Sequence, residues 1–331
     1  MILKVLTYLF SKKYDYKYSS NCYSFRRKIT VKKAFKDLSK NKNISKLYGY
    51  KMDISNYFNS INTELMLNKL KIFLEEDEEL FKLIKDILVD KKVKFNNKII
   101  EEEKGIMAGI PISSFLANIY LTSVDKYFEK ENVLYARYSD DIILFTEKEK
   151  LDQYMEKLQN MIKENKLTLN PHKIQLIKPH DKWDFLGFSY ENGIIDLSEI
   201  SIKKIKGKIK RSSRKLRRWM NKNNANYERA ISAVIRKYNR KFFMIENTRE
   251  LTWQLWYFPV INTSKSLKEI DLYMQESLRY IKTGKYNKKN YNLTYKELKQ
   301  LGYKSLVNEC YKHIKLNNKI INFWQKLIKV I

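Results

Sequence analysis

Val133-Leu134-Tyr135-Ala136-Arg137-Tyr138-Ser139-Asp140-Asp141-Ile142-Ile143-Leu144-Phe145 sets two apolar segments, Val133 to Ala136 and Ile142 to Phe145, around two adjacent acids. The pattern predicts a β-hairpin with Asp140 and Asp141 at its turn. Adjacent carboxylates on a tight turn present hard oxygen donors to divalent cations, although a solvated surface hairpin would carry the same residues. A third acid upstream strengthens the signal: Asp53, in Tyr50-Lys51-Met52-Asp53-Ile54-Ser55-Asn56-Tyr57-Phe58.

Around this hairpin the apolar residues recur mainly at helical spacing, and the chain has only 8 Gly and 4 Pro, so helix is expected to dominate. Residues 63–90 read as two helices broken by the acidic run Glu75 to Glu79. After Gly109-Ile110-Pro111, Ser113 is positioned to cap a helix whose apolar face carries Leu116, Ile119, Tyr120, Val124 and Phe128. A helix is predicted over about 149–165 and a strand pair over 174–190. Residues 201–220 alternate Ile202, Ile205, Ile209 and Leu216 with ten Lys and Arg, which predicts an amphipathic helix with a basic face. Further helices are expected at 225–245, 265–282, 294–315 and 318–330, with Trp253 to Ile261 packed among them.

At 331 residues, 44% hydrophobic and 14% aromatic, the chain has enough apolar material for two or three subdomains and is too rich in it for a disordered chain. The formal charge is +29, and it is segregated. Residues 201–331 hold 32 Lys and Arg against 8 Asp and Glu, a net +24, which leaves only +5 for residues 1–200. A Lys-rich codon bias would act on both halves, so the asymmetry points to a polyanion partner for the C-terminal region. Two cysteines, Cys22 and Cys310, give neither a disulfide framework nor zinc-site spacing, so a reducing cytoplasm is expected. Met1 to Phe10 has the look of a leader, but Lys4 interrupts it and no small-residue cleavage site follows. No apolar run reaches the length of a membrane span, so no membrane partner is expected.

Phosphoryl transfer from a nucleoside triphosphate uses two magnesium ions, one activating the attacking hydroxyl and one stabilising the pyrophosphate. Three carboxylates, one at a strand end and two on a neighbouring hairpin, can hold such a pair. Asp53 and Asp140 are expected as principal ligands, Asp141 as the secondary one, and the carbonyl of Ile54 as a further oxygen; Mn2+ is an alternative to Mg2+.

Asp53 to Ile61, Gly105 to Leu121, Tyr138 to Asp141, Leu167 to Lys173 and Phe185 to Gly187 resemble, in order, motifs A to E of reverse transcriptases. Leu116-Ala117-Asn118-Ile119-Tyr120-Leu121 and the Tyr-x-Asp-Asp box are particularly similar to bacterial members. Ser24-Phe25-Arg26-Arg27-Lys28-Ile29-Thr30 and Ala34 are similar to the fingers motif that meets the triphosphate. The resemblance spans about residues 20–190. It implies an α+β right-hand polymerase with reduced fingers and palm over 1–200, and a helical basic thumb and RNA-binding C-terminal region over 201–331.

The resemblance also implies site roles. Phe58 would be the steric gate that favours deoxynucleotides, Arg26 and Arg27 would grip the triphosphate, and Lys173 would protonate departing pyrophosphate. Ala108 and Gly109 would lie beside the incoming nucleotide, where many relatives carry Gln-Gly; the missing amide puts base preference in doubt. Phe185, Leu186 and Gly187 would hold the primer end. On the basic helix, Lys208, Arg211, Arg214, Arg217 and Arg218 are candidate RNA and DNA contacts, and interleaved Tyr and Trp suit stacking on unpaired bases.

Residues 201–331 offer eight acids and one histidine, His313, too few for a ribonuclease H or HNH nuclease. The long basic helical region looks most like the defence-associated reverse transcriptases related to group II intron and retron enzymes. That resemblance implies an RNA-directed DNA polymerase copying a bound non-coding RNA into DNA from dNTPs, in anti-phage immunity. A diversity-generating or maturase-like retroelement enzyme is the alternative, as is a polymerase-fold RNA-binding factor without essential catalysis. A homo-oligomer or an accessory subunit is a further expected partner.

Overall fold

The computed structural model describes residues 2–26, 29–90, 92–95, 98–101, 105–106, 110–243, 252–286 and 293–315. The chain divides into two units between Lys182 and Trp183. The stretch expected to hold a primer end therefore belongs with the C-terminal unit, rather than with residues 1–200.

The first unit runs α1 (Ile2–Lys13), α2 (Val31–Ser39), β1 (Tyr48–Asp53), α3 (Tyr57–Ser60), α4 (Thr63–Phe73) and α5 (Glu78–Val89). It continues through a β2–β3 hairpin (Lys92–Phe95, Lys98–Glu101), α6 (Ser113–Lys130), β4 (Leu134–Tyr138), β5 (Asp141–Thr146), α7 (Lys148–Glu164) and β6 (Gln175–Ile177). An antiparallel sheet with strand order β4-β5-β1-β6 forms its centre.

Most of α6 is buried, including Phe115, Leu116, Ile119, Leu121, Val124 and Phe128, so this helix forms the core under the sheet. Its start differs from expectation. Ile112 is the N-cap, with no side-chain cap, and Ser113 lies inside the first turn. The expected break between α4 and α5 is present, and Asp77 within it is a cap: its Oδ1 accepts from Leu80 N at 3.1 Å while Glu78 and Glu79 fill the first turn. The leader-like N-terminus folds as α1, with Phe10 5.9 Å from the Phe115 ring.

The predicted strand pair over 174–190 is split. Its first part, β6, completes the central sheet, because Gly49 on β1 lets Ile177 and the Phe145 ring approach closely. A Cβ at Gly49 would lie 2.7 Å from the Phe145 ring and 3.1 Å from Ile177 Cβ. A turn follows, tied by His180 N to Ser45 O at 2.7 Å.

The second unit begins with a three-stranded antiparallel sheet, β7 (Trp183–Phe185), β8 (Phe188–Glu191) and β9 (Ile194–Leu197). Helices α8 (Glu199–Lys222), α9 (Tyr227–Phe242), α10 (Trp253–Trp256), α11 (Lys265–Thr283) and α12 (Tyr295–Gln300) follow. The Ser198 side chain caps α8 by accepting from Ser201 N at 3.2 Å, and Ile202, Ile205 and Ile209 make its buried stripe. The single helix expected over 294–315 is broken where Gly302 takes φ +93°. Residues 306–315 resume as helix, and Asp271 on α11 accepts from Leu306 N at 2.9 Å and Val307 N at 3.1 Å. The helix expected at 318–330 lies outside the described residues.

Candidate active site

β1 ends at Asp53, directly opposite Asp141 at the start of β5. The pairing extends one step further, with Ile54 N donating to Asp140 O at 3.1 Å. On the other side of β1, Asn170 N donates to Asp53 O at 2.9 Å and Ser55 N to Thr168 O at 2.8 Å. The backbone thus fixes Asp53 between two neighbours, and the hairpin carries Asp140 and Asp141 to the same sheet end. Tyr138 pairs with Asp141, and Ser139 takes the left-handed φ of 60° that the tight turn requires.

The turn is anchored from below by a buried polar cluster. Arg137 has no solvent exposure; its Nε donates to Asp125 Oδ1 at 2.8 Å, one Nη to Asp125 Oδ2 at 2.5 Å and the other to Ser139 O at 3.2 Å. Tyr135 Oη adds a bond to Asp125 Oδ1 at 2.9 Å. Segment 21–23 hooks onto the same strand, with Arg137 N donating to Asn21 O and Tyr23 N to Arg137 O. Sequence reasoning missed this cluster. Its signal was present: Asp125 sits one residue after Val124 on the predicted apolar face, where an acid needs a partner.

Asp53, Ile54, Phe58, Asp140, Asn170 and Lys173 line a cavity of about 530 Å³. Lys173 Nζ donates to Asp53 Oδ2 at 2.8 Å, and this contact raises the pKa of the lysine. Burial, reinforced by the neighbouring charges of Asp140 and Asp53, pushes Asp141 up to about 6. The three acids therefore crowd one another electrostatically. Among the described residues, however, no three His, Cys, Asp or Glu side chains are grouped tightly enough to hold one metal ion. The donor chemistry fits a hard divalent cation.

Phe58 is half-buried and lines this cavity. Its backbone is held from behind. Ile106 N donates to Phe58 O at 3.0 Å, and Gly105, at φ +71°, leaves no room for a side chain, since a Cβ there would sit 2.3 Å from that same oxygen.

Arg26 does not have the free guanidinium expected of a triphosphate grip. Its Nε and one Nη bind the Asp15 carboxylate at 2.9 Å each, and the remaining donors reach Asp15 O, Ser19 O and Cys22 O. All five donors of the side chain are used within the fold. Arg27, Ala108 and Gly109 lie outside the described residues.

In the second unit, Leu186 and Gly187 form the turn between β7 and β8, both at positive φ, 52° and 88°. Phe185 is a core residue at 1% exposure, so only Leu186 and Gly187 of this trio reach the surface. Gly187 O accepts from Ser198 N at 2.9 Å and Ser201 Oγ at 3.1 Å, which ties the turn to the start of α8.

The basic helix α8 sorts its charges. Lys208, Arg211 and Lys215 join Lys237 and Lys241 of α9 around a cavity of about 230 Å³ floored by Ser212 and Tyr238. Lys237 Nζ donates to Ser212 Oγ at 2.7 Å, and burial with Lys208 and Lys237 nearby pushes Lys241 down. Arg214 and Arg218 are exposed. Arg217 is not a free nucleic-acid contact: its Nη donates to Tyr280 O at 3.2 Å and Ile281 O at 2.6 Å, satisfying carbonyls at the end of α11. Lys237 and Lys241 escaped sequence reasoning, and Lys215 was read only as part of the basic face, although 208, 211 and 215 share one helical face.

Residues 1–190 match the model of the reverse transcriptase (RNA-dependent DNA polymerase) family. No curated protein matches the chain. Among solved structures, the chain is similar to telomerase from Candida albicans in complex with a TWJ fragment of telomeric RNA, at 12% identity and TM-score 0.45, covering 94% of this chain and 56% of that one. It is also similar to apo telomerase from Candida tropicalis, at 14% identity and TM-score 0.47, covering 85% and 49%. A C-terminally truncated apo form of the latter gives 14% identity and TM-score 0.46 over 60% and 44%. The chain spans about half the length of these structures.

Proposed function

This chain belongs to the reverse transcriptase (RNA-dependent DNA polymerase) family, and from that premise we propose that it copies a bound non-coding RNA into DNA. The unit ending at Lys182 serves as reduced fingers and palm, and the unit from Trp183 carries the primer-end turn and, over 201–331, a helical basic thumb that holds RNA. The observation that carries the reading is the register of Asp53 opposite Asp141, with Asp140 on the adjoining turn, beside a cavity walled by Phe58.

Asp53, Asp140, Asp141 and the Ile54 carbonyl would hold two magnesium or manganese ions, which supply activation of the primer hydroxyl and charge neutralisation on the triphosphate. The remaining work falls to this chain's own groups. Phe58 occupies the space a ribose 2′-hydroxyl needs, and so selects dNTPs. Lys173 Nζ holds the proton that pyrophosphate takes on leaving. Arg27 binds the triphosphate, Ala108 and Gly109 flank the base, and Leu186 with Gly187 supports the primer end. The five-lysine-and-arginine cavity of α8 and α9, with Arg214 and Arg218, binds the nucleic-acid backbone.

Cys22 and Cys310 are free and buried, which supports a reducing, cytoplasmic setting. The likeness of the basic C-terminal region to defence-associated members supports a role in anti-phage immunity, tested by phage challenge of cells carrying the wild-type or inactive protein. The decisive experiment is the Asp140→Asn, Asp141→Asn double variant. It should lose RNA-templated dNTP incorporation while binding RNA as tightly as the wild type in a gel-shift assay; undiminished synthesis would overturn the assignment.

A further inference from the structure

Phe25 holds a conformation that a bulky aromatic residue rarely takes. Its φ is +55°, and the side chain is 41% exposed. Such a backbone persists only where its surroundings over-determine it, and here both neighbours do so. On one side, Ser24 is fully buried and exchanges two hydrogen bonds with Asn118 of α6, Oγ to Oδ1 at 2.8 Å and Nδ2 to the Ser24 carbonyl at 2.7 Å. On the other, Arg26 is seated through all five of its donors on Asp15, Ser19 and Cys22. The residue between these two clamps cannot relax without breaking one of them.

The clamped backbone aims the ring at the polymerising site. Its centroid lies 6.1 Å from that of Phe58, edge to face at 69°, and 6.3 Å from that of Tyr138. Both contacts fall in the range of attractive aromatic pairs. Tyr57 stands 5.7 Å from Phe58, its ring tilted by 58°. Gly105 and Ile106 fix the Phe58 backbone, whereas its ring is set by Tyr57 and Phe25. Phe25 also joins that ring to the tyrosine that opens the acidic turn.

We propose that Phe25 is a specificity-determining positioning residue: clamped between Ser24 and Arg26, its ring backs the Phe58 ring and so sets how strictly the site rejects ribonucleotides. The inference rests on the reading of Phe58 as the sugar-selecting wall and deepens it. It also gives Arg26 a purpose that its spent donors otherwise lack. A gate works only as far as its ring cannot swing aside, because a ribose differs from a deoxyribose by a single hydroxyl. Removing the support lets the Phe58 ring retreat and admits the larger sugar.

The test is primer extension on an RNA template with dNTPs and with rNTPs, comparing wild type, F25A, F25Y, R26K and F58A. F25A should lower the dNTP-to-rNTP ratio of kcat/KM by about tenfold, the scale of a single small-group discrimination, chiefly through a smaller KM for rNTPs. F25Y keeps a ring at this position and should hold the wild-type ratio. R26K loosens the seat but keeps the ring, and should fall between. Because the Phe25 side chain is partly exposed, F25A is expected to melt with the wild type, which thermal denaturation checks. An unchanged ratio in F25A alongside a collapsed ratio in F58A would sink the inference and leave the gate standing. If the wild-type protein incorporates no deoxynucleotide at all, the polymerase reading fails and the inference falls with it.

Discussion

Lys173 Nζ lies 2.8 Å from Asp53 Oδ2, so the acid at the end of β1 already has a monovalent cation beside it. Lys173 is 58% exposed on its side chain, and a screened pair of this kind adds little to stability. It does compete with an incoming divalent ion. One unit charge at this range is worth about 1 kcal/mol in water-like surroundings, so Lys173→Met should lower the magnesium concentration for half-saturation about fivefold, read by calorimetric titration. The same variant should slow nucleotide incorporation by roughly a hundredfold if the ammonium supplies the departing proton.

Asp141 shows the opposite tension. Its carboxyl is pushed up from 3.8 to about 6, first by burial and then by Asp140 and Asp53. A carboxyl with a folded pKa above its unfolded one favours the folded state below the unfolded value, and that contribution is lost as pH rises through about 6. At pH 7.5 without metal the ionised group therefore costs stability, on the order of 3 kcal/mol. Asp141→Asn should melt several degrees above wild type at pH 7.5 in chelator, and the gain should vanish near pH 4. Equal gains at both pH values would rule out a titrating Asp141 as the cause.

The pair Arg137–Asp125 is fully buried on both sides. Removing either partner strands the other charge, which costs about 3–5 kcal/mol. Asp125→Asn and Arg137→Met should each lower the urea midpoint by that equivalent. The double variant should cost clearly less than the two together, since it leaves no orphan charge.

The cavity between α8 and α9 gathers five cations, with no acid among its described lining residues. If backbone phosphates bind there, Lys237→Ala with Lys241→Ala should weaken RNA binding. It should also reduce the slope of log Kobs against log salt by about one for each phosphate that is no longer neutralised. A slope that does not change would place the RNA elsewhere.

The acidic hairpin, α7 and α8 were readable because each rests on a local pattern: two apolar segments flanking the acidic turn at Ser139, and apolar spacing along Leu151, Tyr154 and Leu158 or along Ile202, Ile205 and Ile209. What escaped depends on which partner a side chain finds. The run Arg26-Arg27-Lys28 gives no sign that Arg26 turns inward to Asp15, and Arg217 looks like its neighbours on α8 until the carbonyl end of α11 is placed beside it. Strand β6 was grouped with its sequence neighbours because nothing local shows that Gly49, more than a hundred residues earlier, makes room for Ile177. Gly302 sits inside an otherwise helical pattern, and the break there depends on a tertiary acid, Asp271, that accepts from the next helix start.

The absence of any clearance between Gly105 and the Phe58 carbonyl gives the cleft an uneven capacity to diverge. Position 105 is shut to every residue with a side chain, so selection cannot move this wall by shifting its backbone. The Phe58 ring lines the cavity and the Phe25 ring beside it is partly exposed, so these two can be exchanged without refilling a closed core. New sugar preferences, whether natural or engineered, should therefore arise by swapping rings on an immobile frame, and lineages that change the glycine should lose the fold of the cleft before they gain a new substrate.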